Sequence, residues 1–410
     1  MSRILFISDA HTPPLYGVRV RFFADFMAKR GHEVVLVSER YDESKEQRAK
    51  SKEQRTNNSY NHLAVRIYSA NRTLKILQRV LVWLADIFFP CKECIFTRGV
   101  RKAIEDRKFD VVICSTFHSF PLLTAQTIAN ELGAKLVVDV RDMAEQMQGY
   151  VYHEYHPRWS HWLLALKQKA ELRRRNEVLR SADALTTVSP WHVEQLRQYN
   201  PNATLIYNGY DSEEVMPRAE KQKKFEIVYL GKFYGEPLQN VSTFFRLMQN
   251  LIEDEGLDIN LVFYTDDKSR ARLSEHIPQN IADHTRFEDY VPRGQVPEIL
   301  SKASAALVLT NEERPEGPHG MMTTKFFEAL GAGVPVLCTR TNGGCLADVV
   351  NSTAAGITDI DTEKFCQYIR ALYRQWQTTG MTHADTPDEL RQFYNRQKQT
   401  EKLETVCGFK

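Results

Sequence analysis

What the 410-residue chain lacks narrows its chemistry first. It has no run of about 20 predominantly apolar residues, which a helix needs to cross a bilayer. The stretch that comes nearest, "LKILQRVLVWLADIFF" from Leu74 to Phe89, is sixteen residues long and carries Lys75, Gln78, Arg79 and Asp86. After Ser2 and Arg3 only "ILFISD" precedes polar sequence, too short for the apolar core of a secretory signal. Seven scattered cysteines, an odd number, argue against a disulfide framework and for reduced thiols in a cytoplasm. Cys91 and Cys94 form one CxxC, but no second pair or nearby His pair completes a zinc site, so two free thiols are expected. No GxGxxG follows a strand-like run, which disfavours a dinucleotide dehydrogenase. The Asp-Asp of "TDDK" (265–268) reads as a loop rather than a metal-binding DxD. What remains is an ordinary globular composition, 42% apolar and 26% charged, in a chain longer than one core usually serves. Two domains are expected.

The net charge of +2 conceals an asymmetry. Residues 1–208 hold 31 Lys and Arg against 22 Asp and Glu, and the remainder holds 23 against 30. A basic first half suits an anionic surface or ligand, and on charge alone nucleic acid and membrane headgroups both fit.

Short apolar runs alternate with helical stretches along the chain. "RILFIS", a loop "DAHTPPLYG", an amphipathic helix from about Val18 to Arg30, Gly31 and "EVVLVS" make one βαβ unit. Such a unit implies a parallel sheet with ligands gathering at the carboxyl ends of its strands. "DVVICS" (110–115), a helix near 121–132, "KLVVDV" (135–140), "ALTTVS" (184–189) and "ATLIYNG" continue the series. Residues 42–62 are almost free of apolar side chains and read as a solvated loop. Polar residues 211–224 read as a linker. A second series follows: "FEIVYLG", a helix around 240–254, "INLVFYT", helices at 269–276 and 295–302, "AALVLT", one further helix and "VPVLCT". The expected organisation is a first domain over 1–210, a linker over 211–224, a second domain over 225–386, and a C-terminal helical stretch over 387–410 that packs elsewhere, on the first domain.

Two helices of the first half stand out. Residues 74–89 are rich in Leu, Val, Ile and Phe, and 157–180 combine Trp159, Trp162, Leu163 and Leu166 with Lys167, Lys169, Arg173, Arg174, Arg175 and Arg180. Basic helices with tryptophan and an apolar face suit a membrane interface. Ordinary domain helices with solvated basic faces would look the same. Nucleic-acid binding is disfavoured, because the basic residues follow helices rich in Trp and Leu and form no known reading motif.

The stretch "TTKFFEALGAGVPVL" (323–337) carries the most chemistry. Thr323 and Thr324 can cap a helix whose first N–H groups and dipole favour a phosphate. Lys325 adds a point charge in the same turn. Glu328, a turn further on, can accept two hydrogen bonds from a vicinal diol, which a ribose offers. Gly331 and Gly333 let the chain turn sharply into "VPVL". These residues together read as a nucleoside diphosphate pocket; a capped helix with Glu328 exposed or paired to a lysine is the plainer reading.

Nearly end to end, the chain resembles the family-4-type retaining glycosyltransferases of the GT-B fold, in the branch that builds bacterial cell-surface polysaccharides. The resemblance rests on "RILFIS…PPLYGVRVRFFADFMAKRGHEVVLVS", "VVDVRDM", "ADALTTVSP", "YNGYD", "IVYLGKF", "TTKFFEALGAGVPVL" and "FYNRQKQTEKL", in that order. It implies two doubly wound Rossmann-like parallel-sheet domains facing a cleft. It puts the donor's ribose on Glu328, its phosphates on Lys232 after Gly231, and a glycine-bearing loop on Gly17. Asn240 stands near the place of a second phosphate-binding lysine, which "EPLQN" lacks. His118 falls near a position that contacts the sugar ring, and Asp142 on an acidic position facing the cleft. Many relatives carry a further glutamate eight positions before the ribose-binding one; Gly320 occupies that place, with Glu316 and His319 nearby.

The resemblance further implies transfer of a sugar from a nucleotide-diphosphate donor to an acceptor hydroxyl, with retention of configuration, without a metal or other cofactor. Lys232, Lys325 and helix N–H groups would stabilise the departing phosphate. The expected acceptor is a lipid-linked or growing surface glycan, reached from the cytoplasm by a protein lying on the inner membrane surface through 74–89 and 157–180. Two other readings remain: a nucleotide-sugar epimerase of the same fold, and a non-catalytic nucleotide-sugar-binding protein, motivated by the missing glutamate.

Overall fold

The computed structural model describes residues 1–9, 18–40, 59–105, 107–147, 160–216, 218, 221–235, 239–310, 319–339, 343–359 and 361–409. They form two compact units, Met1–Ile206 with Thr400–Lys410, and Tyr207–Gln399.

The first unit is built on seven parallel strands: β1 (Arg3–Ser8), β2 (Glu33–Glu39), β3 (Asn61–Val65), β4 (Val111–Thr116), β5 (Lys135–Val140), β6 (Ala184–Thr187) and β7 (Ala203–Leu205). Their order is β3-β2-β1-β4-β5-β6-β7. β4 is buried along its whole length, as expected for strands covered on both faces. Alternate residues feed two cores. Leu5, Ile7 and Val112 pack with α3 (Cys91–Ile104) and α4 (Leu122–Leu132), while Ile4, Phe6 and Ile113 pack with α1 (Val18–Lys29). The second core also takes Leu403 and Cys407 from the C-terminal segment, and the Lys135 Nζ donates to the Val406 carbonyl at 2.8 Å. A buried ion pair joins Arg19 on α1 to Asp139 on β5 at 2.9 Å, and Ser115 and Thr186 donate to the same carboxylate. The remaining helices of this unit are α2 (Arg72–Ala85), α5 (His161–Ser181) and α6 (Pro190–Arg197).

The second unit has six parallel strands: β8 (Phe225–Leu230), β9 (Ile259–Thr265), β10 (Thr285–Asp289), β11 (Ala305–Leu307), β12 (Val336–Thr339) and β13 (Gly356–Asp359), in the order β10-β9-β8-β11-β12-β13. Its helices are α7 (Ser242–Gln249), α8 (Asp267–Ser274), α9 (Val296–Lys302), α10 (Thr324–Ala332), α11 (Cys345–Thr353), α12 (Thr362–Thr379) and α13 (Asp388–Phe393). Each unit is therefore a doubly wound, Rossmann-like sheet. In such sheets the connections diverge to opposite faces at one point, beside β1 and β4 in the first and β8 and β11 in the second. A crevice opens there at the carboxyl ends of the strands.

Several expectations are corrected. The loop expected over 42–62 ends earlier, because Asn61 and His62 already pair with β2 in β3, and residues 41–58 lie outside the described residues. The helix expected over 157–180 is described from His161, and 157–159 lie outside the described residues. Asp266 is the N-cap of α8, its carboxylate accepting the Ser269 N–H at 2.8 Å, so "TDDK" is a helix start rather than a loop. The final helical stretch breaks at Tyr394–Asn395, and α14 (Arg396–Cys407) follows the break. The turn after α10 belongs to Gly333 alone, whose φ of 68° makes the left-handed C-cap, whereas Gly331 is an interior helical residue.

Candidate active site

In the second unit, β8 delivers its last residues to the divergence point. The loop that follows is tied down at four successive positions. Thr265 donates to the Gly231 carbonyl at 2.7 Å, and the Tyr229 hydroxyl donates to the Lys232 carbonyl at 2.7 Å. The Phe233 N–H reaches Ser269 Oγ at 3.0 Å and the Tyr234 N–H reaches Gln239 Oε1 at 2.6 Å. Lys232 itself is half exposed, with Nζ 3.8 Å from Asp266.

α10 enters the same place from β11. Thr323 caps it, its hydroxyl accepting the Lys325 N–H at 3.3 Å, and Thr324 opens the helix. Helix geometry leaves the other first-turn N–H groups without intrahelical acceptors. The Lys325 side chain folds back onto β8. Its Nζ donates to Tyr229 Oη at 3.0 Å and lies against Gly231, where an added Cβ would sit 2.9 Å from Lys325 Cε. Burial draws the Lys325 ammonium down to about 8. Gly231, Lys232, Thr323, Thr324 and Lys325 are thus gathered at one edge, with Tyr229 as the link that the sequence reading missed.

Glu328 occupies the next turn of α10 and is part-buried, with its side chain 22% exposed. Its nearest cation is Arg293, at 3.8 Å, beyond hydrogen-bond range. Arg293 also reaches Glu214 at 3.3 Å, and Arg396 pairs with Asp211 at 3.6 Å beside them. Burial raises the Glu328 carboxyl, and the charges of Arg293 and Arg396 oppose that rise. Among the described residues its oxygens accept no hydrogen bond, and they open into a depression also lined by Tyr210, Arg293, Val296 and Leu300. The partner is thus an arginine network rather than the lysine of the plainer reading. Arg293, Glu214 and Arg396 are distant in sequence and carry no local motif that would mark them.

Four further residues of the sequence reading stand as follows. Asn240 is buried, and its carboxamide is spent on Thr243, accepting the N–H at 3.1 Å and donating to Oγ1 at 3.2 Å. Gly320 has φ 68°, a left-handed backbone that glycine adopts without the cost a glutamate would meet there. Gly17 and Glu316 lie outside the described residues.

In the first unit, the ends of β1, β4 and β5 bring together a second group. Asp9, just past β1, accepts the Phe117 N–H at 3.0 Å and pairs with Arg141 at 2.5 Å. Asp142 follows Arg141, and burial pushes its carboxyl up to about 7 although the Arg141 charge opposes this. His118 follows Phe117, and burial lowers its imidazole to about 4, so it is neutral at pH 7. Both expected residues therefore share Asp9 and Arg141 as charged neighbours. Asp9 stands directly after "RILFIS", a strand-end position that the sequence reading passed over.

Residues 16–209 match the family described as glycosyl transferase 4-like domain, and residues 224–375 match glycosyl transferases group 1. No curated protein matches the chain. Among solved structures, it is similar to sucrose-phosphate synthase from Thermosynechococcus elongatus, at 13% identity over 99% of this chain and 98% of that one, with a TM-score of 0.67. It is similar to Anabaena HepE, solved with UDP-glucose, at 11% identity over 100% of both chains and a TM-score of 0.63. WaaG, a glycosyltransferase involved in lipopolysaccharide biosynthesis, is 14% identical over 98% of this chain and 100% of that one, with a TM-score of 0.58. With a glycosyl transferase 4-like domain followed by a group 1 domain on two Rossmann-like sheets, the chain is a glycosyltransferase-family protein of the GT-B fold.

Proposed function

We propose that the protein transfers a hexose from a nucleotide-diphosphate sugar to an acceptor hydroxyl, as a retaining family-4-type enzyme of bacterial surface-polysaccharide synthesis. The observation that carries this reading is the second unit's gathered edge: a carboxylate with free acceptor capacity one turn beyond a lysine that lies at a helix start. Glu328 takes the ribose diol. Lys325, Lys232 and the N–H groups opened by Thr323 and Thr324 take the diphosphate, and Gly231, having no Cβ, leaves room for the Lys325 side chain beside it. As the oxygen of the acceptor hydroxyl bonds to the anomeric carbon, the bond from that carbon to the phosphate oxygen breaks, and the hydroxyl proton passes to the departing phosphate. Charge then grows on the departing phosphate, where fixed cations and N–H dipoles are most effective. With a value of about 8, Lys325 carries its proton at pH 7. This positive charge is supplied without a metal, and no cofactor beyond the donor is needed. The new bond forms on the face from which the nucleotide leaves, which retains configuration.

In the first unit, neutral His118 hydrogen-bonds a sugar hydroxyl, and Asp142, poised near neutrality, serves the acceptor. The acceptor is a glycan, carried on a polyprenyl lipid or on a growing chain. The protein lies on the inner face of the cytoplasmic membrane through the helices within 74–89 and 157–180. HepE's UDP-glucose and WaaG's place in lipopolysaccharide synthesis support a nucleotide-sugar donor and a glycan acceptor.

A thermal-shift screen of the purified protein against UDP-, GDP-, ADP- and CMP-linked sugars tests the donor site. A true ligand at 100-fold excess over its Kd stabilises by ~2–3 kcal/mol. No shift with any of them would reject the reading.

A further inference from the structure

α2 presents its apolar side outward. Ile76, Leu77, Val80, Leu81 and Leu84 are 42–57% exposed, while Val82 is buried and Gln78 faces inward to accept the Ser69 N–H at 2.7 Å. At 100° per residue, Leu77, Leu81 and Leu84 fall within about 60° of one another on that outer side. The turn after the helix extends the surface with Phe88 and Phe89, 77% and 73% exposed. Among the described residues, these side chains account for a large part of the exposed large apolar ones. The helix is held from beneath. Its C-cap Asp86 accepts the Lys92 N–H at 2.9 Å, and Arg174 of α5 donates to the Asp86 carbonyl at 2.8 Å. The apolar surface is therefore a fixed face and not a frayed end.

Charge tells what covers it. Arg72 and Arg79 border the apolar arc on one side at helical spacing. On α5, exposed Trp162 and Leu166 share a face with exposed Lys169 and Arg173, at spacings of four, three and four residues. An apolar face bordered by arginine on α2, and tryptophan and leucine in line with lysine and arginine on α5, each complement a hydrocarbon boundary under anionic headgroups. A second copy of the same face would set basic rims against one another.

We infer that α2 and the Phe88–Phe89 turn insert into the headgroup boundary of an anionic bilayer, with the Trp162 face of α5 as the flanking anchor. This rests on the reading that the acceptor is carried on a membrane, and it names the inserting face and the lipid class.

Flotation of the full chain with vesicles tests it, using phosphatidylcholine alone and phosphatidylcholine with about 30% phosphatidylglycerol. The wild type is expected to bind the anionic vesicles about tenfold more strongly than the neutral ones. Leu77→Glu with Leu81→Glu should lower that binding by about tenfold or more, and Arg72→Glu with Arg79→Glu should remove the anionic preference. Leu390→Glu, at an exposed apolar position of the second unit, should leave binding unchanged. All these side chains are exposed, so an unchanged melting temperature confirms that the variants fold. The inference is overturned if the wild type does not float, if the Leu77/Leu81 variant floats as well as the wild type, or if the face proves to hold a dimer that this variant dissociates. A nucleotide thermal shift on the same samples reads the donor site separately. Lost flotation with the shift intact removes the docking face alone, and the converse removes the donor reading alone.

Discussion

Replacing Glu328 by glutamine tests the assignment of the ribose site quantitatively. The substitution keeps the shape of the side chain and removes its charge. In the wild type the carboxylate accepts no hydrogen bond among the described residues, so two oxygens are open to a diol. Hydrogen bonds to a charged group contribute about 1.5–3 kcal/mol each, against about 0.5–1.5 for neutral pairs. Two such bonds therefore lose ~2–3 kcal/mol, which is ~30–150-fold in Kd. The change also removes the 3.8 Å ion pair to Arg293, a part-exposed contact expected to contribute under about 1 kcal/mol. Titration calorimetry separates the two effects, using the nucleoside diphosphate that stabilises the protein and its 2′,3′-dideoxy analogue. The wild type should prefer the ribonucleotide, and Glu328→Gln should shrink that preference by ~30–150-fold, to the remainder that neutral hydrogen bonds supply. If the variant weakens both by the same factor, or neither, Glu328 does not hold the ribose.

Other consequences are as direct. Tyr229→Phe keeps the ring but removes the hydroxyl that joins Lys325 to the Lys232 carbonyl; donor affinity should fall by about 5–30-fold, from ~1–2 kcal/mol, and the melting temperature should fall as well, because buried partners lose their hydrogen bond. Burial lowers Lys325 from 10.5 to about 8, so between those values the folded protein binds fewer protons than the unfolded chain and stability should rise with pH. That rise, ~1–2 kcal/mol after allowance for partial exposure, should be absent from Lys325→Met in urea titrations at pH 7.5 and about 10.5, and diphosphate affinity of the wild type should fall above pH 8. Asp139→Asn strands Arg19 in the core of the first unit and should cost about 3–5 kcal/mol in urea unfolding.

Much of the architecture is legible in local pattern. "KLVVDV" and "INLVFYT" are strands over the residues expected, because runs buried on both faces need no partner information to be recognised. β10, "TRFED", is largely polar and half exposed, and it is a strand only because β9 offers it a parallel edge. Lys325 and Glu328 stand out because a charge in an apolar helix is conspicuous, whereas Arg293 and Arg396 come to Glu328 only through the fold. The sequence from Leu74 to Phe89 marks an apolar helix face, but periodicity cannot say whether that face turns inward. Contacts made by Gln78 and Asp86 decide that it turns outward.

The central claim is sugar transfer from a nucleotide donor bound at the β8–α10 edge. Its most direct test follows nucleotide release from each candidate, the diphosphate from UDP-, GDP- and ADP-sugars and CMP from CMP-sugars, with and without membranes bearing lipid-linked glycan. Release should depend on the acceptor, be accompanied by incorporation of the sugar into glycan, and be lost in Lys325→Ala. Conversion of the nucleotide sugar to an isomer without acceptor, or no turnover of any UDP-, GDP-, ADP- or CMP-linked donor, would contradict it.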